Sequence, residues 1–435
     1  MKKLLTLFSL TAFAVGYHYI SFAQILTSNG ATLYVNGGTV YCNGGVEVNN
    51  SSTFTNNGLV VTTNNSTLPK KGNFEILSNA IVSGNGGYNV EQDWVNDATF
   101  NGDNGEVVLY GNLEQFITSN NGTATHFNNL SLTGSGIGIN SRKTLVNVNA
   151  STSANGFLVL NDRELHTATN TFTVQNETPT AISYSNVFNA EGFVSSLTNG
   201  SLIRNTNQSS LYVFPVGSSD GVRRFRPVEI TPISSTASSY SVRFNNYSAD
   251  NDGFTLTQND GSVEVANNLF YHSLKRVGGN VDANVGFYYL PTDDGNWESI
   301  GHWYSTQWKD MTEATATTNV NFSVLSKANW SFPTTNDAYV LIKPASPFNI
   351  PNVFTPNQDG VNDVYFITSV NLKEYEFFIV NRWGEVVFKS NDPSEGWDGT
   401  VGGKKCSDGV YFYTLKAKQG ETELKKQGHI TLTSN

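Results

Sequence analysis

Residues 29–64 read NGATLYV NGGTVYC NGGVEVN NSSTFTN NGLVVTT N, with Asn29, Asn36, Asn43, Asn50, Asn57 and Asn64 at an unbroken interval of seven. Four of these asparagines are followed by glycine: Gly30, Gly37, Gly44 and Gly58. A coiled coil would need an apolar seam and charged flanks, and glycine at this density opposes a helix. Between the beats lie short β-type runs: Leu33-Tyr34-Val35, Val40-Tyr41-Cys42, Val46-Glu47-Val48 and Leu59-Val60-Val61. Asn and Gly tolerate the left-handed backbone of a tight corner, so each beat reads as a short strand and a corner. A hairpin meander and a parallel β-solenoid both fit that reading. The solenoid is favoured, because isolated short hairpins are marginal whereas stacked rungs bury a continuous core. Three beats make one rung, so Asn36 is expected near Asn57, with parallel pairing between residues about 21 apart and Asn36, Asn43, Asn50 and Asn57 at corners.

The same texture of short apolar runs between Asn, Gly and Ser continues, more loosely, to about residue 200. Longer strand patterns such as Tyr240 to Phe244, Phe287 to Leu290 and Tyr339 to Ile342 then suggest a β-sandwich over 201–343. Pro344, Pro347 and Pro351 mark 344–351 as a stiff linker before a last domain at 352–435. The fold class expected is all-β: a solenoid over 24–200, a middle sandwich and a C-terminal sandwich.

The 435 residues carry a net charge of −10, which argues against a protein built to bind nucleic acid. Lys2 and Lys3, the apolar run Leu4 to Val15, and Ser21-Phe22-Ala23 before Gln24 read as a secretory signal peptide over 1–23. No cysteine stands at the cleavage point, which argues against a lipid anchor, and no later run is long enough for a membrane span. Cys42 and Cys406 are too few for a disulfide framework or a thiolate metal site.

The last ninety residues carry five separate motifs. They are Asn352-Val353-Phe354-Thr355-Pro356-Asn357-Gln358-Asp359-Gly360-Val361-Asn362-Asp363, Asn381-Arg382-Trp383-Gly384-Glu385-Val386-Val387-Phe388, Trp397-Asp398-Gly399, Asp408-Gly409-Val410-Tyr411-Phe412-Tyr413 and Gly428-His429-Ile430-Thr431-Leu432. In this order they resemble the gliding motility-associated C-terminal domain, the type B sorting domain of type IX secretion in Bacteroidota. The resemblance implies an immunoglobulin-like sandwich that the outer-membrane translocon and its associated proteins recognise, and so a cell-surface or extracellular destination. Bottom-up, Phe354, Trp383, Trp397 and Tyr411 are expected in the core of that sandwich. Gly384, Gly399 and Gly409 fall where turns are needed. A shorter match, Phe214-Pro215-Val216-Gly217 with Phe225-Arg226-Pro227-Val228, is similar to a junction in large surface proteins of the same bacteria. A proline-limited edge strand and turn accounts for it equally.

Candidates for chemistry are few. Asn357, Asp359, Asn362 and Asp363 crowd four oxygen-bearing side chains around Gly360, as a Ca²⁺ loop would. The EF-hand template is not met, and Asx turns bracing the loop are the preferred reading, so no cofactor is expected. Asp293, Asp294 and Glu298 beside Trp297, Trp303 and Trp308 pose a glycosidase pair or a sugar-stacking platform against a solvated turn and an ordinary strand. The six histidines show no zinc spacing, and no nucleophile elbow or phosphate loop occurs. The expectation is a non-enzymatic, secreted surface cargo with an adhesive or structural role, with gliding motility and surface polysaccharide as its candidate setting and partner. The rival is a carbohydrate-binding or carbohydrate-active β-helix, a lyase or glycosidase. Against the lyase, residues 25–65 hold one acidic residue, Glu47, and no Lys or Arg.

Overall fold

The computed structural model describes residues 25–68, 71–319, 321–333, 337–345, 348–369, 372–419 and 422–434, with the backbone of Thr6–Leu7, Thr11–Val15 and His18–Ala23. The leader expected at 1–23 otherwise lies outside the described residues. The described chain is nearly all β and divides into two compact units, residues 1–343 and 344–435.

The Asn beat does fold as a series of short parallel strands, three to a rung. Leu26–Asn29, Thr32–Val35 and Thr39–Asn43 form the first rung, and Val46–Asn49, Thr53–Asn56 and Leu59–Thr63 the second. Leu26 pairs with Val46, Thr32 with Thr53 and Thr39 with Leu59, all in parallel, so the meander is excluded. The first face continues through Phe74–Ile76, Trp94–Asn96, Gln115–Thr118, Arg142–Val146, Glu164–His166 and Phe193–Ser195. The third continues through Gly87–Val90, Glu106–Leu109, Asn129–Leu132, Leu158–Val159 and Ile182–Ser183. The second face is two ladders, one ending at Thr99–Asn101 and one beginning at Thr125–Phe127. The beat loosens after residue 65 because the corner between Thr63 and Phe74 is long, so that Thr55 lies beside Ser83, 28 residues on.

Alternation within each strand decides what enters the bore. On the third face Val60, Tyr88, Val107, Leu130, Leu158 and Ile182 stack in register, all buried. On the first face the Phe74 and Trp94 rings stack with centroids 4.9 Å apart. Phe54, Tyr88 and Phe100 pack edge-on around them, and Phe127 tilts against Trp94. Such a column supplies the apolar burial that strands of two to five residues cannot obtain singly.

The corners are asparagine ladders. Asn50 adopts a left-handed φ of 51° and donates from Nδ2 to Asn29 Oδ1 of the preceding rung. Asn57 Oδ1 accepts from the Asn85 N–H, and Asn85 Oδ1 accepts from Asn104. Asn57 N–H donates to the carbonyl of Val35, which places Asn57 over Asn36.

Residue 200 is not a break. Ser201–Thr206 pairs in parallel with Thr171–Val174 on one edge and antiparallel with Ser238–Asn245 on the other. That sheet continues through Tyr271–Gly278, Ala338–Pro344, Ser299–Tyr304 and Gln307–Asp310. A second antiparallel sheet runs Tyr212–Phe214, Val228–Pro232, Ala283–Tyr289, Phe322–Trp330 and Thr315–Asn319. Tyr240, Leu274, Tyr339 and Leu341 from the first sheet share one buried core with Val285, Phe287 and Leu325 from the second, as a sandwich requires. The solenoid and the middle sandwich thus have one continuous core.

The C-terminal unit is a β-sandwich around a five-stranded sheet ordered Val353–Phe354, Thr422–Leu432, Gly409–Gln419, Leu372–Val380 and Val386–Ser390. Phe348–Asn349 pairs with Thr368–Ser369, and Phe348 is buried. This unit therefore begins inside the stretch 344–351 expected to act as a linker.

Candidate functional site

In the C-terminal unit, alternate residues of Gly409–Gln419 and Leu372–Val380 point inward: Tyr411, Leu415 and Ala417 from one, Tyr375, Phe377 and Ile379 from the other. Trp397 sits in the middle of this layer, with its centroid 5.1 Å from Phe354 and 5.0 Å from Tyr411. Its Nε1 donates to the Thr400 carbonyl, so the buried indole is satisfied. Tyr365 exchanges two backbone hydrogen bonds with Trp397 and donates its hydroxyl to the Pro351 carbonyl. Gly399 has a left-handed φ of 77°, and a Cβ there would lie 2.9 Å from Cγ of Pro356. Both facts require glycine at this position. Phe354, Pro356, Trp397, Gly399 and Tyr411 are thus one structural assembly.

The loop 355–363 is held by its own side chains. Asp363 accepts the N–H groups of Gln358 and Gly360 at 2.5 and 2.7 Å. Asp359 Oδ1 accepts from Val361, and Asn357 Oδ1 from Asp359. The Asn362 carbonyl accepts from the Thr355 N–H and closes the loop. Gln358, Gly360 and Asn362 all have positive φ. These are the Asx turns expected from the sequence.

Asn381 organises the hairpin between Leu372–Val380 and Val386–Ser390. Its Oδ1 accepts the N–H groups of Trp383 and Glu385 at 2.9 and 3.0 Å, and its Nδ2 donates to the Glu385 carboxylate at 2.8 Å. Gly384 closes the turn at φ 83° with an N–H bond to the Asn381 carbonyl. Trp383 corrects the sequence expectation. It is 81% exposed, whereas Trp397 is 1% exposed. Both lie in aromatic, β-rich surroundings, but the turn falls at Trp383 and turns its side chain outward. Arg382 is exposed as well, and its guanidinium lies 3.7 Å from where a Cβ at Gly409 (φ 151°) would sit.

The hairpin, the braced loop and the aromatic layer span the five motifs, and they coincide with one known family. Residues 348–432 match the CHU_C type IX secretion signal domain. Neither a curated protein nor a solved structure matches the chain. A signal domain of this kind is characteristic of Bacteroidota type IX cargo and implies interaction with the secretion system. It directs export across the outer membrane to the cell surface or the extracellular space. Among the described residues no helix is long and apolar enough to cross a membrane.

Outside the signal domain, Asp294, Trp303 and Trp308, three of the groups posed for carbohydrate chemistry, serve the fold. Asp294 is fully enclosed and forked to Arg226, with Nε to Oδ2 at 2.5 Å and Nη2 to Oδ1 at 2.9 Å. It also accepts the Leu290 N–H at 2.7 Å. Trp303 and Trp308 are buried against Phe254, so they offer no stacking platform. Cys42 is a buried free thiol pushed up to about 12 by desolvation, and Cys406 is also free. Among the described residues no group of three or more His, Cys, Asp or Glu is placed to hold a metal ion.

Sequence reading missed many buried ionisable groups, among them Lys143, His272 and Arg226. Lys143 points into the bore between Gln115 and Leu165 and donates to the Gly111 carbonyl and Gln115 Oε1 at 2.9 and 2.6 Å. Its burial, with the Arg163 charge adding, drags the ammonium down to about 7. His272 is enclosed by Phe244, Phe270 and Phe287 and bonds through Nε2 to the Arg226 carbonyl at 2.9 Å. Burial pulls its imidazole down to about 4. Arg226 belongs to the Phe225-Arg226-Pro227-Val228 junction, and its guanidinium lies over the Phe270 and Phe322 rings. The junction motif was the available signal for Arg226, whereas nothing local marks Lys143 or His272 as inward.

Proposed function

We propose that the protein is a non-enzymatic surface cargo whose solenoid and sandwich form an adhesive or structural element, with residues 1–23 as the signal peptide for the first membrane. A role in gliding and contact with surface polysaccharide belong to the same reading, as does an immunoglobulin-like character for the signal domain. The observation that carries it is the sheet running through Ser201–Thr206, by which parallel rungs and sandwich share one core. Stacked rungs joined in this way make a spacer that resists bending.

The test is fractionation and attachment. Cells making a chain without residues 348–435 are expected to retain it in the periplasm. Cells lacking the gene are expected to attach to surfaces less well than the parent, and the full chain restores attachment. A truncated chain at the surface overturns the secretion reading. Unchanged attachment with normal secretion overturns the adhesive one. Release of reducing ends or unsaturated products from polysaccharide by the purified chain would install the enzyme reading instead.

A further inference from the structure

Many motif residues in the signal domain are explained by the fold. Phe354, Trp397 and Tyr411 are core, Gly384 and Gly399 make turns, Asn357, Asp359, Asp363 and Asn381 brace loops. Several hydrophobic motif residues are exposed, and Trp383 stands out as the most open of them, at 81% against 63% for Val361 and 56% for Val386, with Arg382 exposed beside it. The Trp383 backbone N–H is used by Asn381, yet its indole makes no ring contact or hydrogen bond among the described residues. Arg382 has no carboxylate within 4 Å among the described residues, and Glu385, the nearest acidic residue in the chain, is already bonded to Asn381.

An indole so largely open to water gains little for folding, and large exposed apolar groups are a solubility burden. Here it is also held still. Asn381 makes three hydrogen bonds across a five-residue turn, and Gly384 fixes the return. A rigid loop presenting Trp beside Arg has the chemistry of an interface anchor, because little conformational entropy is lost when it docks. The sheet end beside it is apolar on the outer side: Val386 lies opposite Val380, and Val380 opposite Phe412. Val386 and Phe412 are exposed. The charge requirement is specific too, since an unpaired guanidinium next to an indole calls for an aromatic or apolar slot with a carboxylate at its rim.

We propose that Arg382 and Trp383 are the contact by which the signal domain is recognised, the Trp383 indole entering an apolar slot on a protein component of the type IX secretion machinery and Arg382 pairing with an acidic group at its edge. This rests on residues 348–432 acting as the translocation signal. The contact divides the domain into a folding part, which is the buried aromatic layer, and a reading part, which is the hairpin tip.

The experiment uses the full chain in producing cells, with the variants Trp383→Ala, Trp383→Phe and Arg382→Glu, and the chain lacking residues 348–435 as reference. The fraction reaching the surface or medium is measured against the periplasmic fraction. The purified full-length variants are melted in parallel. Because both positions are exposed, melting is expected to stay within about 2 °C of the parent. Translocation is expected to fall about tenfold or more for Trp383→Ala and Arg382→Glu, and less for Trp383→Phe. If the truncated chain is blocked while both Trp383→Ala and Arg382→Glu cross as the parent does, the contact is wrong and the signal reading stands. If the truncated chain crosses normally, the signal reading itself fails. Should Trp383→Ala prove destabilised, Arg382→Glu decides alone: normal crossing overturns the contact, and retention with parental melting supports it.

Discussion

Asn50 Nδ2 donates to Asn29 Oδ1 at 2.5 Å across a separation of 21 residues. That separation is three beats of the sequence repeat, so the hydrogen bond joins the same corner of two successive rungs. The exposed corner amides tie rung to rung, but water competes for each of them. The buried corner is different. Asn56 is enclosed, with Oδ1 accepting the Gly58 N–H at 2.9 Å and Nδ2 donating to the Gly87 carbonyl of the next rung at 3.0 Å.

Asn56→Ala should therefore lower stability by about 1–3 kcal/mol, because a buried donor and acceptor lose their partner. Asn50→Ala, at an exposed corner, should cost only about 0.5 kcal/mol or less. Urea unfolding of the two purified variants beside the parent measures the difference. Equal losses would mean that burial does not set the worth of a corner amide.

Replacing one member of the Arg226–Asp294 pair should be far more damaging. Arg226→Ala leaves the enclosed carboxylate with only the Leu290 N–H and Arg224 Nε at 3.5 Å, and Asp294→Ala deprives the Arg226 guanidinium of its carboxylate; each should cost about 3–5 kcal/mol. The double variant Arg226→Met/Asp294→Leu, which removes both charges, is expected to recover most of that loss. A double-mutant cycle by thermal unfolding tests it, and additive losses would refute the coupling.

His272 makes stability fall in mild acid. Its imidazole titrates near 4 when folded, while the unfolded chain takes up the proton at the ordinary histidine value. Between about pH 6.5 and 4 the unfolded state binds more protons, so stability rises with pH and is lost on acidification, by about 3 kcal/mol over that window. His272→Gln should flatten this part of the profile relative to the parent. Parallel pH slopes for the two proteins would show that the ring does not carry the effect.

Lys143 acts on the alkaline side. Folding holds its ammonium near 7, so between there and the ordinary lysine value the unfolded chain again binds more protons. Its penalty is complete below pH 7 and fades as pH rises, so the parent gains stability relative to Lys143→Met between pH 7 and 9.5. Melting temperatures of both proteins across that range give the difference directly. A constant gap would place the lysine proton elsewhere.

Local chemistry alone determined much of this protein. The interval of Asn and Gly placed corners and short strands at 29–64 because these residues accept left-handed backbone wherever they occur. The five C-terminal motifs marked the signal domain because turn, core and brace residues recur in one order. What local preference could not decide was parity and partnership. Trp383 and Trp397 are alike in composition and context, yet a hairpin turn puts one in water and ring packing buries the other. Lys143 enters the bore because its strand pairs in register with Gln115 and Leu165, residues 28 and 22 positions away. The sheet crosses residue 200 because Ser201–Thr206 has an unsatisfied edge that Ser238–Asn245 completes. The last two outcomes depend on backbone hydrogen bonds to a distant strand. A side chain's inward or outward direction alternates with that register, so only the assembled fold settles it.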